Sequence, residues 1–480
     1  MSVDDLTYMP AWRLAELVRS KELSPVELTA HFLARVHTYN DTLRAYLTVA
    51  DEHAMESARA AETAVMAGRD LGPLHGVPIA IKDLSATKGI RTTQGTLIHK
   101  GRVPDYDDLP VERVRRAGAI ILGKTNTPEF GWKGTTENLL GGPCRNPWDL
   151  RRTSGGSSGG SASALAAGLC PLASGSDAGG SIRIPASFCG VYGIKPTFGR
   201  VPAAYDGPGG WRPLSQNGPM ARNVRDAALL LQVMAGPDSR DATSLREQPP
   251  GFVSALEGSS VHGVRIAWSP DLDGRPVDPE VRRLTTAATE AFQAQGALVE
   301  EDPPPIDTNR LLDVFATLML TDLALALGPS LATGDGVLLP PKLVEWTQEA
   351  ASWPATRYTA HLRELEWHRW RMEEFFQRHD LLLTPTMAVP AFPIEEAPKL
   401  IDGQPVDPNW GFTPFLYPFN LSGQPAASVP CGLTADGLPV GLQIVGGRGH
   451  EIDVLRASAV FEAAQPWNSR WPDLDPGGYQ

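Results

Sequence analysis

The sequence of 480 residues is poor in cysteine, and the four that it has lie far apart: Cys144, Cys170, Cys189 and Cys431. None forms a Cys-x-x-Cys pair, which argues against a zinc ribbon and a disulfide framework and fits a reducing compartment. The N-terminus lacks the apolar core of a signal peptide, and no stretch approaches the roughly 20 apolar residues of a membrane span. We therefore expect a cytoplasmic protein that makes no membrane contact.

Positive charge is also scarce. Lysine and arginine together number 43 against 55 aspartates and glutamates, which gives a formal net charge of -12. This balance argues against nucleic acid and anionic membranes as partners. His361 and His368 lie seven positions apart on one predicted helical face, but no HExxH or comparable metal-ligand spacing accompanies them. We expect no metal and no cofactor.

The pattern of apolar residues predicts an α/β protein. Three- and four-residue spacing predicts helices through residues 1–68, with Ser24 as an N-cap. Short apolar strands then alternate with helices to the end of the chain, as expected for a sheet covered by helices. Residues 303–379 are mostly helical and rich in tryptophan, and we interpret them as an insertion that caps the substrate site. We expect residues 1–480 to form one large domain.

A glycine-serine run, TSGGSSGGSASALAAG at residues 153–168, interrupts this pattern. Such runs are usually flexible linkers. A phosphate-binding loop needs a lysine after the glycines, and none follows here. The GxSxG pattern of an α/β-hydrolase nucleophile is present, yet the preceding RNPWDLRRT is polar and turn-like instead of an apolar strand. The fourth interpretation is a tight backbone turn that leads into a small-residue helix from Ser158 onward.

Two glycine-serine turns and one lysine together carry a more specific signal. GGSSGGS contains Ser157, SDAGGSIRIPASFCG contains Ser181 24 positions later, and GVPIAIKDL contains Lys82 75 positions before Ser157. In this order and spacing they resemble the amidase signature family of serine hydrolases, most strongly over residues 72–225. The resemblance implies one large α/β domain whose mixed, twisted sheet is sandwiched by helices.

The resemblance also implies a Ser–Ser–Lys triad that hydrolyses amides through an acyl-enzyme. Ser181 would be the nucleophile, Ser157 would relay the proton, and Lys82 would serve as the base and later the acid. A lysine with the usual pKa near 10.4 is protonated at neutral pH and cannot accept a proton. Burial lowers a lysine pKa, and the apolar GVPIAI segment before Lys82 is able to supply that burial.

The second glycine turn has a separate expected function. The resemblance implies that its backbone amides form an oxyanion hole, and that a cis peptide bond joins Gly156 to Ser157. The four amides belong to Ala178, Gly179, Gly180 and Ser181. Asp177 and Arg183 flank this turn; of substrate contact and an internal ion pair, we favour the ion pair.

Substrate choice has to come from less patterned loops, where four aromatic residues are candidates for substrate binding: Trp132, Tyr205, Trp211 and Phe415. Together they indicate an apolar or aromatic acyl pocket. The expected partners are a small-molecule amide and water, and the resemblance allows a homodimer through the N-terminal helices.

Three other functions fit the same sequence features. The family includes the glutaminase subunit of a tRNA-dependent amidotransferase, which works with partner subunits. The same triad also suits carbamates or aryl esters. A non-catalytic relative is a further alternative, but all three proton-handling positions carry competent residues.

Overall fold

A computed structural model describes residues 6–203, 214–467 and 470–474. The α-helices in these ranges are α1 Ala11–Arg19, α2 Pro25–Leu43, α3 Asp51–Met66, α4 Leu109–Arg116, α5 Gly159–Ala166, α6 Arg183–Cys189, α7 Val224–Met234, α8 Pro279–Ala294, α9 Thr308–Ala332, α10 Pro341–Ala351, α11 Ala355–Arg378, α12 Tyr417–Ser422 and α13 Glu451–Ala464.

The strands alternate with these helices along the chain. They are β1 Tyr46–Val49, β2 Pro78–Lys82, β3 Ile120–Thr125, β4 Arg145–Asn146, β5 Asp149–Thr153, β6 Leu172–Asp177, β7 Tyr192–Lys195, β8 Gln216–Ala221, β9 Arg265–Trp268, β10 Leu298–Glu301, β11 Leu381–Pro385, β12 Leu400–Ile401, β13 Gln404–Pro405, β14 Ala426–Leu433 and β15 Pro439–Gly446.

Eleven of the described strands form one mixed sheet in the order β1-β3-β2-β6-β8-β7-β14-β15-β11-β9-β10. Strands β3, β2 and β6 run parallel to one another, whereas the centre from β6 to β11 is antiparallel. Successive side chains of β2 face opposite sides, so Ile79 and Ile81 join one hydrophobic cluster and Ala80 joins another. The single-domain mixed sheet between helical layers, as predicted from the sequence, is confirmed.

The N-terminal segment carries helices α1, α2 and α3 and one short strand, β1. Helix α2 begins as predicted, because the Ser24 hydroxyl accepts hydrogen bonds from the amides of Val26 and Glu27. The four residues of β1, however, lie between α2 and α3 and pair antiparallel with β3 at one edge of the sheet. The sequence pattern predicts no strand in residues 1–68, because four residues are too few to show a clear period-two pattern.

Helix α9 corrects a second expectation. It is 25 residues long and, among the described helices, has the length and apolar composition of a membrane span. Half of its most apolar window is nevertheless buried inside the protein, and the core helix of a globular protein meets the same criteria. Helices α9, α10 and α11 make up most of the insertion at residues 303–379, whose capping function stays a prediction.

Helix α5 lies at the centre of the molecule, and all of its residues are buried. A Cβ at Gly160 would lie 2.3 Å from the Asn126 backbone nitrogen and 2.5 Å from the Ala45 carbonyl oxygen. The helix therefore approaches β3 and the start of β1 as closely as backbone allows, and only glycine fits at this position.

We predict that Gly160→Ala lowers the free energy of unfolding by about 2 kcal/mol or more, because backbone atoms have to move to admit the methyl group. Gly328 in α9 is the matched control, since a Cβ there would meet nothing within 4 Å. Gly328→Ala should be neutral or stabilise by up to about 1 kcal/mol through helix propensity. Urea unfolding of both variants measures the difference, and equal stabilities would contradict the close approach.

Candidate active site

Lys82 is the last residue of β2 and is 1% exposed. Strand β6 runs parallel beside β2, with Ile79 opposite Leu172, so the carboxyl ends of both strands meet at one edge. The Lys82 backbone amide donates a hydrogen bond of 3.0 Å to the Ser174 hydroxyl on β6. Burial within this strand pair aims the lysine side chain at the space just beyond the strand ends.

Three oxygen atoms surround the Lys82 amine. Nζ lies 2.7 Å from Ser157 Oγ, 2.9 Å from Ser176 Oγ and 3.2 Å from the Ser176 carbonyl oxygen. A neutral amine has two N–H bonds and one lone pair. Its two N–H groups can donate hydrogen bonds to the hydroxyl and carbonyl oxygens of Ser176, and its lone pair can accept a hydrogen bond from the Ser157 hydroxyl. Both donors and the acceptor then have partners.

Burial is the largest influence on the protonation of Lys82. It lowers the pKa from the usual value near 10.5 to about 7, while the negative charge of Asp177 opposes this shift. At neutral pH a large fraction of the amine is therefore uncharged. The expectation of a buried lysine with a depressed pKa is met by the geometry.

The first serine turn is a buried, ordered structure, which excludes the linker interpretation. The peptide bond between Gly156 and Ser157 is cis, as expected, and Ser157 is 2% exposed. Helix α5 starts two residues later, at Gly159. The Ser158 amide donates to the Ser181 carbonyl oxygen over 3.1 Å, and this contact brings the two serine turns together.

The second turn connects β6, which ends at Asp177, to α6. Gly179 and Ser181 are partly exposed here, so of the two serines predicted for the triad, Ser181 is the one that solvent reaches. One expectation needs correction: the Gly180 amide already donates to Asp177 Oδ1 over 2.7 Å. Among the described residues, none accepts a hydrogen bond from the other three amides predicted for the oxyanion hole, those of Ala178, Gly179 and Ser181.

Asp177 and Arg183 form an internal ion pair, as favoured from the sequence. Both are fully buried, and the guanidinium contacts both carboxylate oxygens at 2.9 and 3.0 Å. Burial raises the pKa of Asp177, but the Arg183 charge and hydrogen bonds outweigh it and hold the pKa well below its usual range. Asn420 and Gln443 bind the remaining polar atoms of the pair, which therefore fixes the turn and is not offered to substrate.

The predicted substrate-binding aromatics have different positions. Trp132 lies directly after Gly131, where a Cβ would come within 3.1 Å of Ser157 Oγ. Phe415 is fully buried, and its carbonyl oxygen accepts a hydrogen bond from Gln443, which places it beside the ion pair. Tyr205 and Trp211 lie outside the described residues. Their proposed contacts with substrate stay predictions.

No group of three or more histidine, cysteine, aspartate or glutamate side chains in the described ranges is placed to hold a metal ion. His368 is buried, and its Nε2 lies 3.0 Å from the Pro418 carbonyl oxygen, as for an interior histidine. The expectation of catalysis without metal or cofactor stays a prediction.

Comparison with known proteins decides the family. A family model described as Amidase matches residues 27–455. The chain belongs to the amidase family. An acylamidase from Rhodococcus erythropolis is 37% identical over 497 residues, which cover 98% of each chain. A glutamyl-tRNA(Gln) amidotransferase subunit from Moorella thermoacetica is also 37% identical, over 494 residues that cover 98% of this chain and 99% of that protein.

A solved structure gives the same answer for the fold. The crystal structure of a bacterial aryl acylamidase of the amidase signature family superimposes with a TM-score of 0.91 at 34% identity, and covers 96% of this chain and 97% of its own. The family, the fold and the enzyme class predicted from the sequence are confirmed. The protein is an amidase, a hydrolase of amide C–N bonds.

Ser176 is the residue at this site of the amidase that sequence reasoning missed. It was assigned no function, yet both its hydroxyl and its carbonyl oxygen contact the Lys82 amine. One signal was available: Ser174 and Ser176 alternate along a strand, so they project toward the same side. Nothing in the sequence indicated that this side faces Lys82.

We predict that Ser176→Ala lowers kcat by about tenfold, equivalent to about 1.4 kcal/mol, because the Lys82 amine loses one of its three partners. Ser174→Ala is the matched control on the same strand, since its hydroxyl contacts only the backbone amide of Lys82. It should reduce stability by about 1 kcal/mol and leave kcat nearly unchanged. Equal losses of kcat in the two variants would show that Ser176 only stabilises the strand.

Proposed function

We propose that this amidase acts through an acyl-enzyme on Ser181, with Ser157 as the proton relay and Lys82 as the base. The observation that supports this assignment best is the buried Lys82 amine, hydrogen-bonded to the Ser157 hydroxyl at 2.7 Å and held at a pKa of about 7. Such an amine accepts a proton at neutral pH, which an ordinary exposed lysine does not.

The proposed reaction has two halves. Ser181 Oγ attacks the substrate carbonyl carbon, its proton passes to Ser157 Oγ, and the Ser157 proton passes to Lys82 Nζ. As the C–N bond breaks, the Lys82 ammonium returns a proton through Ser157 to the departing amine nitrogen. Water then attacks the Ser181 ester and loses a proton through Ser157 to Lys82. As the ester C–O bond breaks, the Lys82 ammonium returns this proton through Ser157 to the Ser181 oxygen, which releases the carboxylic acid and restores the free serine and the neutral amine.

The tetrahedral intermediate carries a negative oxygen that needs hydrogen-bond donors. We assign this function to the amides of Ala178, Gly179 and Ser181. The Gly180 amide instead donates a hydrogen bond to Asp177, and this bond holds the turn in place. Backbone donors fixed in this way do not have to reorganise during the reaction.

We favour a stand-alone amidase with a small-molecule amide substrate, and the likeness to the Rhodococcus acylamidase supports it. A glutaminase subunit is the second candidate, because the Moorella protein is equally similar in overall identity. Glutaminase activity that appears only with added amidotransferase partners and tRNA would favour the second candidate. Carbamates and aryl esters remain alternative substrates of the same triad.

Location and assembly are proposals of the same kind. The described structure contains no disulfide, and its four cysteines are free, which supports the proposed cytoplasmic location. A homodimer through the N-terminal helices stays a prediction, which the molar mass in solution would test.

We predict that a small alkyl fluorophosphonate labels Ser181 alone, because this serine is both activated and exposed. Peptide mapping by mass spectrometry should find one adduct, which Ser181→Ala abolishes. Lys82→Met keeps the buried volume without the amine and should slow labelling at least a hundredfold. An adduct on Ser157, or no adduct on the folded protein, would overturn the assignment of the nucleophile and return the non-catalytic alternative.

The pKa of Lys82 predicts the pH dependence of the same labelling reaction. Below about pH 7 the amine is protonated and cannot accept a proton, so the rate should fall about tenfold per pH unit. Above pH 7 the amine is neutral and the rate should level off. Labelling rates between pH 5 and 9 measure this limb. A rate that stays constant below pH 7, or one that still rises tenfold per unit near pH 9, would contradict a base with a pKa of about 7.

A further inference from the structure

Five aromatic rings from separate segments form a continuous series, which we call the aromatic row. In order, it consists of Trp132, Trp346, Trp410, Phe315 and Tyr417. Successive ring centroids are 5.5, 6.5, 5.2 and 5.6 Å apart. Aromatic pairs at these spacings stabilise one another beyond simple burial, so the row is a packed unit of the hydrophobic core around α9.

The row touches the second serine turn through Phe315 and adjoins the first through Gly131, the residue before Trp132. Trp132 follows Gly131, the residue that faces the Ser157 hydroxyl. Phe315, on helix α9, lies against the second turn, where a Cβ at Gly179 would come within 2.5 Å of the Phe315 ring. A substrate whose carbonyl oxygen reaches the Gly179 amide therefore has the Phe315 ring beside it.

The chemical character of the row is apolar. The Tyr417 hydroxyl donates to the Thr308 carbonyl oxygen over 2.9 Å and is already satisfied. Lys133 and Lys342 lie over the faces of Trp132 and Trp346 at 5.7 and 5.3 Å, and the charge of Arg275 acts on Tyr417. Trp132 Nε1 is a buried donor without a hydrogen-bond partner among the described residues. One such donor does not supply the pair of hydrogen bonds that a glutamine side chain or an amino-acid carboxylate requires, so a mainly apolar group fits these rings best.

We propose, on the basis of the proposed function, that the aromatic row is the wall of the acyl pocket and that Phe315 limits the length of the acyl chain. Phe315 is 1% exposed, and its ring fills the space between Gly179, Trp410 and Tyr417. Its removal leaves a void that opens directly beside the reacting carbonyl, and an acyl chain that is too long for the native pocket extends into this void.

The experiment compares kcat/KM for p-nitroanilides of straight-chain acids from acetyl to decanoyl, in the wild type and in Phe315→Ala. The variant should raise the ratio of decanoyl to butyryl hydrolysis at least tenfold, since each methylene that a pocket admits or rejects changes kcat/KM about tenfold or more. Phe315→Leu should shift the ratio in the same direction by a smaller factor. It replaces Phe315→Ala in the comparison if the alanine variant does not fold.

Phe292→Ala is the matched control. Phe292 is equally buried and stacks on Phe461 at 5.4 Å, but it belongs to the hydrophobic cluster on the other side of the sheet. This variant should lose stability without any change in the chain-length ratio. A second series fixes the acyl group as butyryl and varies the amine; a shift in that series instead of the acyl series would overturn the proposal.

The failure of this inference is distinguishable from failure of the proposed function. If the fluorophosphonate labels Ser181 and Phe315→Ala leaves the acyl ratio unchanged, the nucleophile stands and the acyl-pocket assignment is wrong. If the wild type takes no label and cleaves no anilide, the proposed function itself fails.

Discussion

The rest of the site depends on the exclusion of water from the Lys82 amine. A pKa of about 7 in place of 10.5 corresponds to roughly 5 kcal/mol in favour of the neutral form. That preference exists only while neighbouring atoms leave no room for solvent. The glycines and serines around Lys82 are small for this reason: α5 packs backbone against backbone at Gly160, and Gly131 closes over Ser157. A larger side chain at either position would separate these segments.

The negative charge of Asp177 opposes the lowering of the Lys82 pKa. It favours the protonated form of Lys82, and it is fully buried near the amine. Arg183 binds both carboxylate oxygens and adds a positive charge at the same place. The same carboxylate also accepts hydrogen bonds from the Gly180 and Ile182 amides, so the ion pair fixes the turn and the start of α6. The Asp177–Arg183 pair therefore neutralises a buried charge and also positions the backbone of the second serine turn.

Sequence reasoning reached Lys82, Ser157 and Ser181 because a local motif encodes each turn, and the cis bond at Ser157 came from the same resemblance. It missed Ser176, since a serine on a strand gives no sign of what it faces. It also missed Phe315 and Trp346, which are distant from both turns in the chain. Phe315 meets the second turn, and Trp346 meets Trp132, only in the folded protein, where α9 packs against α10, α11 and α12. Helix α6 was interpreted as part of a glycine turn, although Pro185 in its first turn is compatible with a helix.

The proposed catalytic triad and the aromatic row come from different parts of the fold. This difference explains why overall similarity identifies the reaction better than the substrate. Lys82, Ser157 and Ser181 are held by strand ends and helix starts at the sheet, where a small displacement breaks a hydrogen bond of less than 3 Å. Phe315 and Trp346 come from the helical insertion, which is able to change without disturbing that geometry. An acylamidase and an amidotransferase component, both 37% identical to this chain, illustrate the separation. The side chains beside Gly179, and not the percentage of identity, therefore carry the information about which acyl group this amidase accepts.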